Sequence, residues 1–382
     1  MAVSPAPVNQ DRIVQMFLDL VNQNTPPKSE KAASEIGRDH LVKLGFECFF
    51  DKAGEKVGGN IGNLIAYKKG NVPDAPPIFF SAHFDTVEPT EGLVPIIEGD
   101  VIRSNGNTIL GADDKCGIAA ILEAMYVLEE NNIPHGDIQL LLTICEEIGL
   151  VGAAHMEPSD IKAKYGFVLD SGPPIGSFIY SAPTQDIFDV WIHGKASHAG
   201  AQPENGISAL LVAAKAISRM KLGRVDPETT ANVGIIQSGT ATNIIPAECY
   251  LKCEARSRNP EKLDKQRNAM FAAFQEEADA AGATVEIKSY NAYKGYDLKM
   301  DDPVIEIVHE AAERIGFEPI PRVTGGGADA NIFNDFGVQT TVIGCGMVNI
   351  HRHDEYVLIS DMVKSAQYVV SIAEVAAVYK ER

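Results

Sequence analysis

The sequence predicts an α/β protein in which a mostly parallel sheet, covered by helices, is interrupted by an inserted ferredoxin-like α+β domain. Three observations lead to this prediction. Continuous apolar strands alternate with helices in both outer parts of the chain, which is typical of a parallel sheet buried on both faces. Residues 183–294 instead follow the order βαββαβ. The chain has 382 residues, enough for two hydrophobic cores.

The outer domain is predicted to comprise residues 1–182 and 295–382. It begins with a helix over residues 9–24, whose apolar residues share one face, and a second helix follows "TPPKSEK". The next elements are a strand in "PPIFFSAHFD", a helix in "DDKCGIAAILEAMYVLEENN" and strands in "DIQLLLTICEE" and "KYGFVLDSG". A strand in "GVQTTVIGCG" and a helix in "SDMVKSAQYVVSIAEVAAVYK" close the domain.

The inserted domain lies between two turn-rich segments, "SGPPIGS" and "NAYKGYDLKMDDP". Its strands are predicted in "DIFDVWIHGKAS", "ANVGIIQSG", "AECYLKCEARS" and "ATVEIKSY". Its helices are predicted in "NGISALLVAAKAISRMK" and "PEKLDKQRNAMFAAFQEEADAAG".

Charge and cysteine content exclude several classes of protein. A formal net charge of −19 argues against nucleic acid, which needs a basic surface, and suits either solubility or a carboxylate-lined cation site. No apolar run approaches the roughly 20 residues of a membrane span, and "MAVSPAPVNQDR" has no secretory pattern. The six cysteines lie mostly in apolar stretches, so we expect buried thiols in the cytoplasm.

Imidazole and carboxylate side chains follow the predicted strands of the outer domain. Alone, each has an ordinary structural explanation; an acid in the first turn of a helix, for example, is favoured by the helix dipole. Ligands in such sheets bind beyond the carboxyl ends of the strands, where five segments converge. Two divalent metals would relieve the repulsion among the acids. Zinc prefers these ligands, and Co²⁺ or Mn²⁺ could occupy them. The residues are His83, Asp85, Asp113, Glu146, Glu147, Asp170, His351, His353 and Glu355.

Six motifs in order resemble the two-zinc peptidase family that contains peptidase T, aminoacylase and glutamate carboxypeptidases. They are "SAHFDTV", "GADDKCGIAAILEA", "EEIGLVGA", "LDSG", "HGKASHAG" and "HRHDEYV". The resemblance spans nearly the whole chain and implies a zinc-peptidase catalytic domain with an inserted lid or dimerisation domain. "ILGADDK" resembles the peptidase T branch, whose members release the N-terminal residue of tripeptides.

The resemblance implies a role for each motif residue. His83 and Asp170 would bind one zinc, and Asp85 would orient the imidazole of His83. Asp113 would bridge both metals. The remaining ligands of the second zinc would be Glu147 and His351. His351 is preferred to His353 because the family has a histidine four residues before a glutamate, here Glu355.

The adjacent pair Glu146 and Glu147 is expected to divide two tasks. Neighbouring residues of an extended chain point in different directions, so Glu147 can turn to a metal while Glu146 faces the water between the metals. Two metals about 3.5–4 Å apart activate such a water. Glu146 would then act as the general base and afterwards as the acid.

The inserted domain supplies the expected substrate contacts. His198 resembles the family's lid histidine, which stabilises the oxyanion, often in a partner subunit's site. Asn243 and Arg256 resemble residues that hold a substrate carboxylate. Gly326 and Gly327 belong to a glycine run that borders the substrate pocket in the family. Taken singly, each also has a structural explanation. His198 fits a surface histidine, Arg256 fits an exposed charge at a strand end, and the glycine run fits a turn with a helix cap. The resemblance further implies a homodimer through this domain.

Several alternatives stay open at this point. "EEIGLVGAAHM" and the lid segment are closer to the carboxypeptidase and aminoacylase members, so a carboxypeptidase or an N-acyl amino acid deacylase is the alternative to a tripeptide aminopeptidase. A non-catalytic metal-binding relative would not need Glu146. A nucleotide-binding protein is disfavoured because the sequence has no P-loop lysine. Cys145 lies in an apolar flank and is predicted to be a packed thiol rather than a nucleophile.

Overall fold

The computed structural model describes residues 3–380, which form two compact units. Unit 1 comprises the described residues up to Tyr180, Leu298–Val323 and the described residues from Ala328 onwards, and unit 2 comprises Ser181–Asp297 and Thr324–Gly327. The glycine run at residues 325–327, which the sequence places in the outer domain, therefore groups with the inserted unit.

The helices and strands are numbered in chain order. The first part contains α1 (Gln10–Val21), α2 (Lys31–Lys43), β1 (Glu47–Phe50), α3 (Ala53–Val57), β2 (Leu64–Lys68), β3 (Ile78–His83), β4 (Ile96–Glu98), β5 (Val101–Arg103), α4 (Ala112–Glu130), β6 (Ile138–Thr143), α5 (Val151–Ala154), β7 (Tyr165–Ser171) and β8 (Ser177–Ala182). The middle part contains β9 (Thr184–His193), α6 (Ala209–Arg219), β10 (Gly223–Asp226), β11 (Thr229–Ser238), β12 (Glu248–Ser257), α7 (Pro260–Ala281), β13 (Thr284–Tyr293) and β14 (Tyr296–Asp297). The last part contains α8 (Pro303–Arg314), β15 (Ile320–Val323), α9 (Asp329–Asp335), β16 (Gln339–Gly344), β17 (Met347–Val348), β18 (Tyr356–Leu358) and α10 (Ile359–Val378).

The large sheet of unit 1 confirms the predicted α/β fold. Its order is β1-β2-β6-β3-β7-β16-β8, and the four central strands β6, β3, β7 and β16 are parallel. The flanking pairs β1–β2, β2–β6 and β16–β8 are antiparallel, so the sheet as a whole is mixed. The apolar runs do not predict this difference, because hydrophobicity reports burial and not strand direction.

The central strands are buried on both faces. Every residue of β3 and β6 is buried. In β3, Phe79 packs edge-on against Phe333 of α9, with ring centroids 4.8 Å apart. The next residue, Phe80, points to the opposite face, where its ring centroid lies 5.6 Å from that of Phe167. This burial accounts for the continuous apolar runs, and it leaves only the strand ends for polar chemistry.

Unit 2 has the predicted ferredoxin-like order. Its sheet runs β10-β11-β12-β9-β13, and β9, α6, β11, β12, α7 and β13 supply the βαββαβ sequence. Alternate residues of β12 are buried, which places one face of the sheet over a separate apolar core that includes Phe188, Leu251 and Phe274. The short strand β10 pairs antiparallel with the start of β11.

All six cysteines are free thiols, and five of them are buried. Across the described chain, no helix combines the length and apolar character that a membrane crossing requires.

Candidate metal centre

Five segments of unit 1 bring the predicted metal ligands to one edge of the large sheet. β3 lies between β6 and β7 and runs parallel to both, so the carboxyl ends of these strands meet at that edge. The ligands lie at the end of β3, in the first turn of α4, just beyond β6, within β7 and between β17 and β18; they are His83, Asp113, Glu147, Asp170 and His351.

Asp113 is shared by two groups of ligand atoms. His83, Asp113 and Asp170 form one group, and Asp113, Glu147 and His351 form the other, with the ligand atoms of each within 4.8 Å of one another. Asp113 Oδ1 lies 3.2 Å from His83 Nε2, and Asp113 Oδ2 lies 3.2 Å from His351 Nε2. One carboxylate therefore presents a separate oxygen to each group.

His351 belongs to this cluster and His353 does not. His351 Nε2 lies 3.1 Å from Glu147 Oε1. The carboxylates of Asp113 and Glu147 raise the pKa of His351 to about 10. His353 instead lies at the surface, where its Nε2 is 3.0 Å from Glu88 Oε1.

The two adjacent glutamates point to different histidines. Glu147 faces His351, whereas Glu146 Oε2 lies 3.9 Å from His83 Nε2. Glu146 is only 8% exposed. Burial and the nearby carboxylate of Asp170 raise the pKa of Glu146 well above its ordinary value, although His83 opposes the shift. A buried carboxyl of raised pKa can hold a proton close to the shared ligand.

Asp85 contacts His83 differently from the expectation. His83 Nδ1 donates a 3.0 Å hydrogen bond to the backbone carbonyl of Asp85, while the Asp85 carboxylate is 3.5 Å away. The two carboxylate oxygens instead accept hydrogen bonds from the backbone amides of Glu146 and Glu147, at 2.9 and 3.1 Å. This arrangement leaves Nε2 of His83 free to face the candidate ligand group and ties the double glutamate to the end of β3.

The donor set fits divalent cations such as zinc, because it combines imidazole nitrogens with carboxylate oxygens. The acids are crowded as well as buried. Burial raises the pKa of Asp170 well above its ordinary value, and the charge of Asp113 raises it further. Such carboxylates become fully charged only if cations compensate them. The two ligand groups would therefore hold one ion each.

Two further acids support the cluster, and their roles were not predicted from the sequence. The Glu355 carboxylate accepts hydrogen bonds from the amides of Leu110, Gly111 and Asp113, at 2.8, 2.7 and 3.0 Å. Asp329 accepts a 2.5 Å hydrogen bond from Thr143 Oγ1 at the end of β6. The only sequence signal for Asp329 was an acid opening a helix after a glycine run.

In unit 2, the structure places His198 beside Asn243. His198 pairs with Ile244 in an antiparallel bridge, and the amide of Ala199 donates a 2.9 Å hydrogen bond to the Asn243 carbonyl. His198 is exposed, and its Nδ1 accepts from the amides of Gly200 and Ala201. The loop thus fixes the orientation of the imidazole through Nδ1.

Arg256 and the glycine run lie together around Tyr293 in unit 2. Arg256 forms a fork with Glu254, with nitrogen–oxygen distances of 3.2 and 2.9 Å, and its Nη1 lies 3.3 Å from the Tyr293 hydroxyl. Gly327 lies against the ring of Tyr293, where a Cβ would be 2.3 Å from Cζ. Gly326 donates a 3.0 Å hydrogen bond to Thr324 Oγ1. The pairing with Glu254 was not predicted.

The fold and the donor set together define a metallohydrolase of the two-domain peptidase type, and comparison with known families identifies it more closely. The profile of "Peptidase family M20/M25/M40" matches residues 79–375. The chain belongs to this peptidase family, as its motifs predicted.

Three relatives match nearly the whole chain. An uncharacterized protein, YqjE, from Bacillus subtilis is 42% identical over 97% of this chain and 100% of its own. Aminopeptidase PepT from Bacillus cereus, known from a crystal structure, is 40% identical in sequence. The two structures align with a TM-score of 0.88 over 97% of this chain and 99% of that one. A tripeptidase from Staphylococcus aureus is 36% identical, with a TM-score of 0.92 over 97% and 99% of the chains.

Proposed function

We propose that this peptidase is a two-metal aminopeptidase that releases the N-terminal residue of tripeptides and other short peptides. The observation that carries the metal chemistry is the position of Asp113, whose two oxygens each lie 3.2 Å from a different histidine. The aminopeptidase assignment is supported by the likeness to aminopeptidase PepT and to the tripeptidase, with which the chain aligns over 97% of its length.

The proposed metals are two Zn²⁺ ions per chain, although Co²⁺ or Mn²⁺ suits the same ligands. His83 and Asp170 would hold the first ion, Glu147 and His351 would hold the second, and Asp113 would serve both. Bound there, the ions would polarise the scissile carbonyl and acidify a water.

Glu146 is proposed as the general base. Its carboxylate removes a proton from the attacking water and transfers it to the amine that leaves. Glu146 is buried, and Oε2 is directed towards the His83 group, 3.9 Å from Nε2. Asp85 contributes by holding the amides of Glu146 and Glu147. In this proposal the double glutamate performs proton transfer and metal binding side by side.

The substrate contacts are proposed to come from unit 2. His198 would donate a hydrogen bond to the oxyanion, because its imidazole is exposed and oriented by its own loop. Arg256 and Asn243 would hold the substrate's carboxylate end, with Gly326 and Gly327 bordering the pocket. Arg256 already pairs with Glu254, so its Nη1, next to Tyr293, is the part available for a carboxylate.

A homodimer through unit 2 is also proposed. Ile235 and Ile236 of β11 are 44% and 47% exposed, and Leu211 of α6 is 56% exposed. β10 pairs only with the start of β11, so within the described residues no strand covers the outer edge at residues 232–238. An exposed apolar strand edge favours pairing with a second copy. Light scattering should give twice the chain mass, and Ile236→Lys should give the monomer.

Three substrates test the peptidase proposal with zinc-loaded protein. They are a tripeptide, the same tripeptide N-acetylated, and an N-acetyl amino acid. We expect cleavage of the free-amine tripeptide alone. Preference for a blocked substrate would assign the protein to the carboxypeptidase or deacylase branch. Metal binding without hydrolysis of any of the three would indicate a non-catalytic relative.

We also propose a cytoplasmic location, in keeping with the six free thiols.

A further inference from the structure

Four consecutive backbone amides beyond β6 donate to side-chain oxygens from other segments. Ile144 donates to Asn63 Oδ1 at 3.1 Å and Cys145 donates to Glu30 Oε1 at 3.1 Å. The amides of Glu146 and Glu147 donate to Asp85, as described above. β6 ends at Thr143. The segment that carries the double glutamate is therefore positioned by side chains rather than by strand pairing.

Cys145 occupies an unusual conformation within this segment. Its φ is +54°, in the left-handed region that residues with a Cβ rarely adopt, and the residue is fully buried. The left-handed residue turns the chain immediately before Glu146. Such conformations persist only where the surroundings hold them. The surroundings here include Glu30, which contacts both the amide and the thiol of Cys145, the latter at 3.3 Å.

Glu30 is not explained by the helix that it precedes. It occupies the N-cap position of α2, but its side chain makes no capping hydrogen bond. Oε1 accepts from the amide of Lys28 at 2.8 Å as well as from Cys145. Oε2 is buried and has no hydrogen-bond partner among residues 3–380. A fully buried carboxyl with an unpartnered oxygen costs stability, which suggests that Glu30 serves the site.

We propose that Glu30 is a positioning residue for Glu146. By accepting from Cys145, it holds the left-handed turn that directs the Glu146 carboxylate towards the His83 group. Glu30 touches neither the reacting atoms nor the metal ligands. This inference rests on the proposed function, because positioning matters to turnover only if Glu146 acts as the base.

The test compares Glu30→Ala with Glu30→Gln. The alanine variant loses the acceptor, and we expect kcat to fall at least about tenfold, since small displacements of a catalytic group have effects of this size. KM and metal content should stay within about threefold, because the removed contact acts on the base alone. The glutamine variant retains an oxygen at the position of Oε1, so kcat should stay within about threefold of wild type. Glu35→Ala, in the exposed part of the same helix, is the matched control and should behave as wild type.

Two results would overturn the proposal. One is a folded Glu30→Ala protein with kcat within twofold of wild type. The other is a parallel loss of kcat, metal and thermal stability, which would indicate a purely structural role. If the alanine variant does not fold, Glu30→Asp decides the matter. Its shorter side chain keeps the charge but withdraws the oxygen, so an unchanged kcat would refute the positioning role.

Hydrogen–deuterium exchange separates this proposal from the proposed function. The amides of Cys145 and Glu146 should exchange faster in Glu30→Ala than in Glu30→Gln or wild type, whatever the enzyme hydrolyses. If wild type cleaves none of the three test substrates while exchange changes as expected, the peptidase proposal fails and the anchoring contact remains. Equal exchange in all three proteins would refute the anchoring contact itself.

Discussion

The backbone amide of Asp113 donates a 3.0 Å hydrogen bond to the carboxylate of Glu355, 242 residues further along the chain. The same carboxylate binds the two amides at Leu110 and Gly111. Three hydrogen bonds thus fix the segment that presents the shared ligand. Because Glu355 itself faces amides, it would contribute to metal binding through the position of Asp113.

Glu355→Ala should therefore weaken metal binding, although Glu355 is outside the proposed ligand set. We expect metal affinity to fall about 10–100-fold, the usual effect of removing a group that orients a ligand. Competition with a chelator measures this. Asp354→Ala is the control, since the exposed Asp354 carboxylate bonds Arg352 and Asn349 in its own loop rather than the Asp113 segment. An unchanged affinity in Glu355→Ala would show that the Asp113 segment holds its position unaided.

Substitution of Glu146 and substitution of Glu147 should have different effects on turnover and metal content. Glu146→Ala should retain both metals and lose turnover by about 10²–10⁴-fold, which is the contribution of general acid–base catalysis. Glu147→Ala should lose metal, because its Oε1 lies in the ligand group with His351. Metal analysis and kcat of both variants provide the comparison. Equal metal loss in the two variants would contradict the division of roles.

Asp329 should make the metal-free protein less stable as the pH rises. Burial raises the pKa of Asp329 from its ordinary value of 3.8 to about 6. The folded state therefore retains a proton that the unfolded state releases, and stability present below pH 3.8 is lost as the pH rises to about 6. The shift of the pKa from 3.8 to about 6 corresponds to roughly 3 kcal/mol in the free energy of unfolding.

Asp329→Asn removes this titration. Urea unfolding of metal-free protein at several pH values should show the variant gaining stability relative to wild type between pH 4 and 6, by roughly the amount implied by the shifted pKa. Asp335→Asn, at the exposed end of α9, is the control. A difference between Asp329→Asn and wild type that does not vary with pH would contradict the raised pKa.

Gly327 should not tolerate a side chain. A Cβ there would lie 2.3 Å from Cζ of Tyr293, whereas at Gly325 it would meet no atom closer than 3.9 Å. Gly327→Ala should displace the tyrosine and destabilise the protein by about 1–3 kcal/mol, as overpacking does. Gly325→Ala provides the comparison in thermal unfolding. Equal melting temperatures for the two variants would contradict the close contact.

The fold class and the residue types that gather at the strand ends could be predicted from the amino-acid pattern alone. Buried strands require continuous apolar runs, and polar side chains such as His83 and Asp170 therefore stand out where the runs end. The ferredoxin-like order of the inserted unit could be predicted for the same reason, since alternation and helical periodicity are local properties.

The contacts between side chains and distant segments depend on the folded arrangement of the chain. The hydrogen bonds from Cys145 to Glu30 and from Asp113 to Glu355 join segments 115 and 242 residues apart. Glu30 does not differ in the sequence from a solvated glutamate, and Glu355 stands out only as a member of a motif. The partner of neither acid could be predicted, because local pattern does not record a distant partner. The antiparallel edges of the sheet and the pairing of Arg256 with Glu254 were missed for a related physical reason. Strand direction and side-chain orientation are set by tertiary packing, which the local sequence pattern does not report.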